Sequence, residues 1–343
     1  MISNKIVVTN RIHAEVRARL EQVGHVVVNP SLEPWSQHIL TEHLKDASAM
    51  MGFMTDCVDE NLLQQSPALK IVACALKGFD NYDIPACTAR NIWVSIVPDL
   101  LTEPTAELAL GLAISLGRFV RQGDQLMRTT SFKGWRAHLF GTGLHNSVVA
   151  ILGLGMVGQA IAQRLSGFGC KLLLSVDPLR TMAGVTSCNL EEALTTADYV
   201  FVAIPLTDSS IDMLNHEQLI YCKLGQLMIN VGRGSVVNEK AVALALEQGR
   251  LAGYAADVFA CEDWGLQNRP HEIEPRLLAH PNTVFTPHLG SAVSAVRLAI
   301  EHRAADNIIA VLRGEVPPDA MNQVTSNVEQ SQYASQSRSV DRF

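Results

Sequence analysis

Val148-Val-Ala-Ile-Leu-Gly153-Leu-Gly155-Met-Val-Gly158-Gln-Ala-Ile-Ala-Gln-Arg-Leu165 reads as a strand, a turn and a helix in one stretch. Five apolar residues precede the first glycine. Val157, Ala160, Ile161 and Leu165 then recur at helical spacing. G-x-G-x-x-G alone is a weak signal, but between a strand and a helix each glycine has a task. Gly153 permits the tight turn, Gly155 lets the backbone approach a pyrophosphate, and Gly158 lets helix and strand pack closely. The N–H groups near Met156 and Val157 would then meet phosphates at the helix N-terminus. The stretch predicts a dinucleotide-binding domain.

An acid some 20 residues further on should end the next strand and accept the ribose hydroxyls of NAD. The strand Leu172-Leu-Leu-Ser-Val176 runs into Asp177, which is the candidate. Arg180, close behind, could attract the 2′-phosphate of NADP while the carboxylate repels it, so NAD is favoured and NADP stays open.

Working outward, β-branched runs alternate with helix-length stretches along the chain: Ile6-Val-Val, Val26-Val-Val, Ala49-Met-Met-Gly-Phe, Ile71-Val-Ala-Cys, Tyr199-Val-Phe-Val, Leu227-Met-Ile-Asn and Thr283-Val-Phe. Such near-continuous apolar strands suit parallel sheets covered on both faces. The expected fold is α/β with two doubly wound domains. A proline-bounded turn at Val97-Pro-Asp places one boundary near residue 100, before a long helix over Thr105 to Val120. A second long helix, Ser291 to Leu312, crosses back, so the first domain is expected to be discontinuous: 1–100 with 291–321, around 101–290. From Asn322 the chain is rich in Gln, Ser and Asn, and a disordered tail over 322–343 is expected.

Composition narrows the function. The chain has 343 residues, 48% of them hydrophobic, which is enough for two cores. Its 27 Lys and Arg stand against 34 Asp and Glu, leaving −7 and no basic excess for nucleic acid. No apolar run of ~18 residues is present to cross a bilayer, and Met1-Ile-Ser-Asn-Lys-Ile-Val-Val is no secretory leader. Seven scattered cysteines, with no C-x-x-C pair, fit neither a zinc site nor a disulfide framework. A cytoplasmic protein with reduced thiols and no metal, nucleic-acid or membrane partner is expected.

Three polar residues stand near ends of expected strands, where doubly wound sheets bind ligands. Arg233 sits between glycines in Asn230-Val-Gly-Arg-Gly-Ser, its guanidinium able to fork onto an oxyanion. Glu262 follows Asp257-Val-Phe-Ala-Cys, and His288 lies in Thr-Pro-His-Leu-Gly-Ser. A histidine whose second nitrogen is held by a carboxylate serves as a general base. Lys77, before the turn at Gly78, is expected to point toward the same cleft. With Arg233 it would suit a doubly charged substrate better than a monocarboxylate.

Through Gly153-Leu-Gly-Met-Val-Gly, Asn230-Val-Gly-Arg-Gly-Ser, Asp257-Val-Phe and Thr286-Pro-His, the chain resembles the D-2-hydroxyacid dehydrogenase superfamily over nearly its full length. Within it, Cys74-Ala-Leu-Lys-Gly-Phe-Asp-Asn, Val97-Pro-Asp-Leu-Leu-Thr, Gly141-Thr-Gly-Leu, Gly253-Tyr-Ala-Ala-Asp-Val-Phe and Glu262-Asp-Trp look more like the phosphonate (phosphite) dehydrogenases. The resemblance implies a Rossmann-type coenzyme domain inserted in a flavodoxin-like substrate domain, and a homodimer oxidising phosphite to phosphate with NAD. It implies Arg233, Glu262 and His288 as the catalytic set, with Lys77 and Gly78 at the substrate. Thr105, Pro205, Asp257 and Ser291 would lie along the cofactor. Two departures stand out. The similar enzymes carry their ribose-binding acid where this chain has Val176, one place before Asp177, and Phe140 replaces an expected tyrosine.

Arg233, Glu262 and His288 would equally serve reduction of a 2-oxoacid such as glyoxylate or hydroxypyruvate. A non-catalytic NAD-sensing protein is the alternative from another class, and the intact Arg, Glu and His speak against it.

Overall fold

The structure, a computed structural model, describes residues 4–129 and 132–324. It divides into two units. The first takes residues up to Pro98 and from Arg297 on, and the second is the continuous Asp99–Val296.

In the first unit, β1 (Lys5–Val8), β2 (His25–Val28), β3 (Ala49–Gly52), β4 (Ile71–Cys74) and β5 (Trp93–Ser95) form a parallel sheet in the order β2-β1-β3-β4-β5. This is the flavodoxin-like order. Every residue of β3 and β4 is buried, as expected for strands covered on both faces. Beyond β3, the buried carboxylate of Asp56 accepts from the Thr9 hydroxyl and, at 2.7 Å, from the Phe53 N–H. Burial pushes its pKa up to about 6, against the pull of those bonds.

Asn322, expected to open a disordered tail, is docked. Its side chain accepts from Val94 N–H at 2.9 Å and donates to Thr88 Oγ1 and Ile92 O, each at 2.9 Å. An asparagine read as loop composition instead satisfies backbone at the β5 edge. The remainder of that expected tail, from 325, lies outside the described residues.

In the second unit, β6 (Val148–Leu152), β7 (Leu172–Val176), β8 (Thr186–Ser187), β9 (Tyr199–Val202), β10 (Gln226–Asn230), β11 (Leu251–Ala256) and β12 (Thr283–Phe285) run parallel in the order β12-β11-β10-β9-β6-β7-β8. The order reverses between β6 and β9, the place where doubly wound sheets open a ligand crevice at the strands' carboxyl ends. Alternate residues feed two cores. Ala150, Leu152, Val200 and Met228 face one side, while Val149, Ile151, Tyr199 and Ile229 face the other. The helix Thr102–Gly117 covers the second face through Ala106, Ala109, Ala113 and Leu116.

The helix expected from Thr105 to Val120 begins at Thr102 and ends at Gly117, where a Cβ would stand 2.2 Å from the Tyr199 hydroxyl. After Phe119, at φ +54°, a second helix starts at Val120. The final helix is Ser294–Leu312. Among the described residues no helix is long and apolar enough to cross a membrane, and no disulfide joins any of the seven cysteines.

Candidate active site

The three motif glycines divide their work by space. A Cβ on Gly153, already at φ +90°, would lie 2.8 Å from the Ala203 carbonyl oxygen, and one on Gly158 would lie 2.0 Å from the Gly153 oxygen. Both are needed for packing. Around Gly155 no atom lies within 4 Å of such a Cβ, so the backbone there is open for a ligand to approach. Met156 and Val157 open the helix Met156–Leu165 directly behind Gly155, so its N-terminus and dipole point at the open turn, where phosphate oxygens are favoured. The chain therefore fits the pyrophosphate of a dinucleotide.

Val176 ends β7 half-buried against the core, and Asp177 follows at its carboxyl end. One carboxylate oxygen accepts from Leu154 N–H at 2.8 Å, inside the glycine turn, and the other from Leu179 and Arg180 N–H at 2.9 Å. Burial acts to raise its pKa, but these bonds, aided by the Arg180 guanidinium 3.6 Å away, leave it below the usual carboxylate range. Asp177 is thus a fixed anion beside the phosphate turn. Pro205 lies exposed beyond β9, its carbonyl accepting from the Ser210 hydroxyl at 2.8 Å.

At the end of β10 the Asn230 side chain closes the next turn. It donates to the Arg233 carbonyl at 3.0 Å and accepts from Gly232 N–H at 3.1 Å. Arg233 is thereby presented on a braced turn, with one guanidinium N–H on the Gly232 carbonyl at 2.9 Å. Beyond β11, Glu262 spends one oxygen on Phe259 N–H at 2.9 Å and sets the other 2.7 Å from His288 Nδ1. His288 stands at φ +55°, a left-handed backbone that a non-glycine residue keeps only when its surroundings hold it. Asp257 provides that hold. It accepts from the Thr286 hydroxyl at 2.5 Å and from Leu289 and Gly290 N–H at 2.6 and 2.8 Å, and its own carbonyl accepts from His288 N–H at 3.0 Å. Burial raises the Asp257 pKa despite these donors. Gly290 fits between Thr105 Oγ1 and the Asp257 carboxylate, 2.9 and 3.2 Å from an added Cβ, with Ser291 buried beside it. Thr105, Asp257 and Ser291 are thus brought together.

In the first unit, half-buried Lys77 and Gly78 follow the carboxyl end of β4, where the Cys74 thiol donates to the Gly78 carbonyl at 3.4 Å. Arg297, passed over in the sequence reading, lies 5.8 Å over the Phe53 ring at the same edge. Its burial pulls the guanidinium pKa down, while Glu301 and Cys74 act the other way. The available signal was a lone charge within the apolar run Ala292 to Ile300.

Residues 110–290 match the family model described as D-isomer specific 2-hydroxyacid dehydrogenase, NAD binding domain. The chain belongs to that family. A glyoxylate reductase of Pyrococcus furiosus is 34% identical over 93% of this chain and 95% of its own length. A solved protein from Thermus thermophilus superposes with TM-score 0.86 at 31% identity, covering 93% of this chain and all of the other. The NADPH-dependent glyoxylate/hydroxypyruvate reductase of Sinorhizobium meliloti, solved with NADP and malonate, gives 0.81 at 30% identity over 93% and 97%. The chain is therefore an oxidoreductase of this family with an NAD-binding domain.

Proposed function

We propose that this dehydrogenase oxidises phosphite to phosphate with NAD, as a cytoplasmic homodimer. The observation that carries the substrate is the pair of cations at the carboxyl edge of the first unit, Lys77 and Arg297, with the braced Arg233 turn described in the second unit by itself. A doubly cationic edge suits a dianion better than a monocarboxylate. The stretches that resemble phosphonate dehydrogenases support the same substrate.

Arg233 forks onto two phosphite oxygens, with Lys77 as a second cation. Glu262 holds His288 through Nδ1–H, which leaves Nε2 as the basic nitrogen. Nε2 takes a proton from a water whose oxygen forms the new P–O bond as the P–H bond breaks. Bound NAD would accept the departing hydride. The carboxylate of Asp177 would favour NAD over NADP, and Thr105, Pro205, Asp257 and Ser291 would lie along the cofactor.

The relatives' names favour a second reading, reduction of glyoxylate or hydroxypyruvate. Arg233 would then hold the carboxylate and His288 would donate a proton to the carbonyl oxygen. Substrate is set by the site rather than by the fold, so the two readings call for direct comparison. Purified protein given phosphite with NAD or NADP should generate the reduced cofactor. Turnover of glyoxylate with reduced cofactor, and none of phosphite, would install the second reading instead. Arg233→Lys keeps the charge and removes the fork, so kcat/KM should fall roughly 100-fold, about 2.7 kcal/mol. An unchanged value removes the bidentate role.

The dimer is supported by Val120, Met127, Phe132, Trp135 and Phe140, all more than half exposed within one stretch. Light scattering should give twice the chain mass, and a monomer overturns it.

A further inference from the structure

The turn that carries Arg233 and the turn that carries Glu262 touch backbone to backbone. A Cβ added at Gly234 would stand 1.9 Å from the Phe259 carbonyl carbon and 2.1 Å from Ala260 N. Across this contact the Asp263 carboxylate, 1% exposed, accepts from Ser235 N–H at 2.7 Å. Ser235 is two residues after Arg233, and Asp263 directly follows Glu262. Glu239 braces only the second turn, accepting from Ala260 N–H at 3.0 Å and Glu274 N–H at 2.8 Å.

We propose that Asp263 is a positioning residue, whose buried bond to Ser235 N–H fixes the spacing between the Arg233 guanidinium and the Glu262–His288 pair. The proposal rests on the roles given above to those three residues. Asp263, 1% exposed, is too deeply buried to meet a substrate or cofactor directly. Without this hydrogen bond the Ser235 N–H loses its partner inside the protein. A shift at this bridge displaces the anion-holding cation and the proton-handling pair relative to each other. Binding and chemistry are then disturbed together, because both depend on reactants held at near-attack distances.

The test compares Asp263→Ala, Asp263→Asn and Glu239→Ala as full-length enzymes with NAD. Asp263→Ala should raise KM and lower kcat, each roughly 10- to 100-fold. Asp263→Asn, whose amide oxygen still accepts from Ser235 N–H, should return both to within roughly 3-fold of the parent. Glu239→Ala should lower kcat with KM nearly unchanged. A structural role alone would lower the melting temperature and the active fraction of Asp263→Ala at unchanged KM, and that result overturns the proposal. Amide exchange on the unmodified, cofactor-free protein keeps it testable should Asp263→Ala not fold. Ser235 and Phe259 N–H should open as one unit with protection within roughly 3-fold, and a difference above roughly 100-fold overturns the bridge. If Arg233→Lys and His288→Asn keep parental rates, the roles of those residues fail first. If they lose activity while Asp263→Ala keeps its KM, only the bridge fails.

Discussion

At the end of β6, a Cβ on Gly155 would meet no atom within 4 Å, whereas at the end of β10 one on Gly234 would stand 1.9 Å from the carbonyl carbon of Phe259. Both glycines sit in turns leaving the same sheet edge. The first leaves room for a molecule that arrives later, and the second gives up its room to another part of the chain. A glycine beside a ligand crevice thus has two separable uses, backbone access and backbone contact. The first concerns affinity and the second concerns stability and geometry.

The largest effect should come from Gly234→Ala, which must push two turns apart: stability should fall by at least about 3 kcal/mol and kcat/KM by several orders of magnitude. Calorimetry and initial rates check this. A parental melting temperature would break the contrast with Gly155. Crowding in the first unit supplies the next test, through Asp56. Its folded pKa of about 6 lies above the ordinary 3.8, so the native state binds the extra proton in that window. The associated stability is full below 3.8 and is lost as pH rises through about 6. Asp56→Asn keeps an acceptor and carries no charge. Its advantage over the parent in urea melts should therefore grow from near zero at acid pH to about 2–3 kcal/mol at pH 8. An advantage independent of pH contradicts the burial argument.

Gly155→Ala tests the open turn from the other side. The cofactor-free melting temperature should stay within about 2 °C of the parent. The Kd for NAD should rise roughly 10- to 100-fold, about 1.4–2.8 kcal/mol, by calorimetric titration. Weakened stability with unchanged affinity would reverse the two assignments. The smallest effect belongs to Asp177→Asn, which removes the charge that repels a 2′-phosphate. The ratio of NADP to NAD affinity should rise roughly 10-fold, about 1.4 kcal/mol, and a ratio that stays put makes Asp177 a brace for the turn only.

The open turn was legible because its requirements are local: a strand, three spaced glycines and a helix all fall within Val148 to Leu165. Asp177 could be picked out by its distance from that motif. The crowded turn was not legible. Gly234 and Ala260 are brought together only by the pairing of β10 with β11, and nothing in Arg233-Gly-Ser names Asp263 as its partner. β11 itself escaped the reading of β-branched runs, since Leu-Ala-Gly-Tyr-Ala-Ala is poor in them and owes its strand to neighbours on both sides. Arg297 was passed over because a charge in an amphipathic helix ordinarily faces water, and here it lies against Phe53. Asn322 was misplaced for a related reason, since composition describes the average solvation of a segment and misses a single docked side chain.

That docked asparagine bears on the order in which the protein is made. β5 is bridged at Ser95 by Ala320, and Asn322 closes the same edge, so the first unit is completed by a segment that follows the whole second unit. The second unit is contiguous, and its last residue leaves the ribosome while the closing segment of the first is still to be synthesised. During translation the early sheet waits with β5 uncapped for the length of the whole inserted unit. In that interval β5 is an unpaired edge strand of the kind that other chains can pair with.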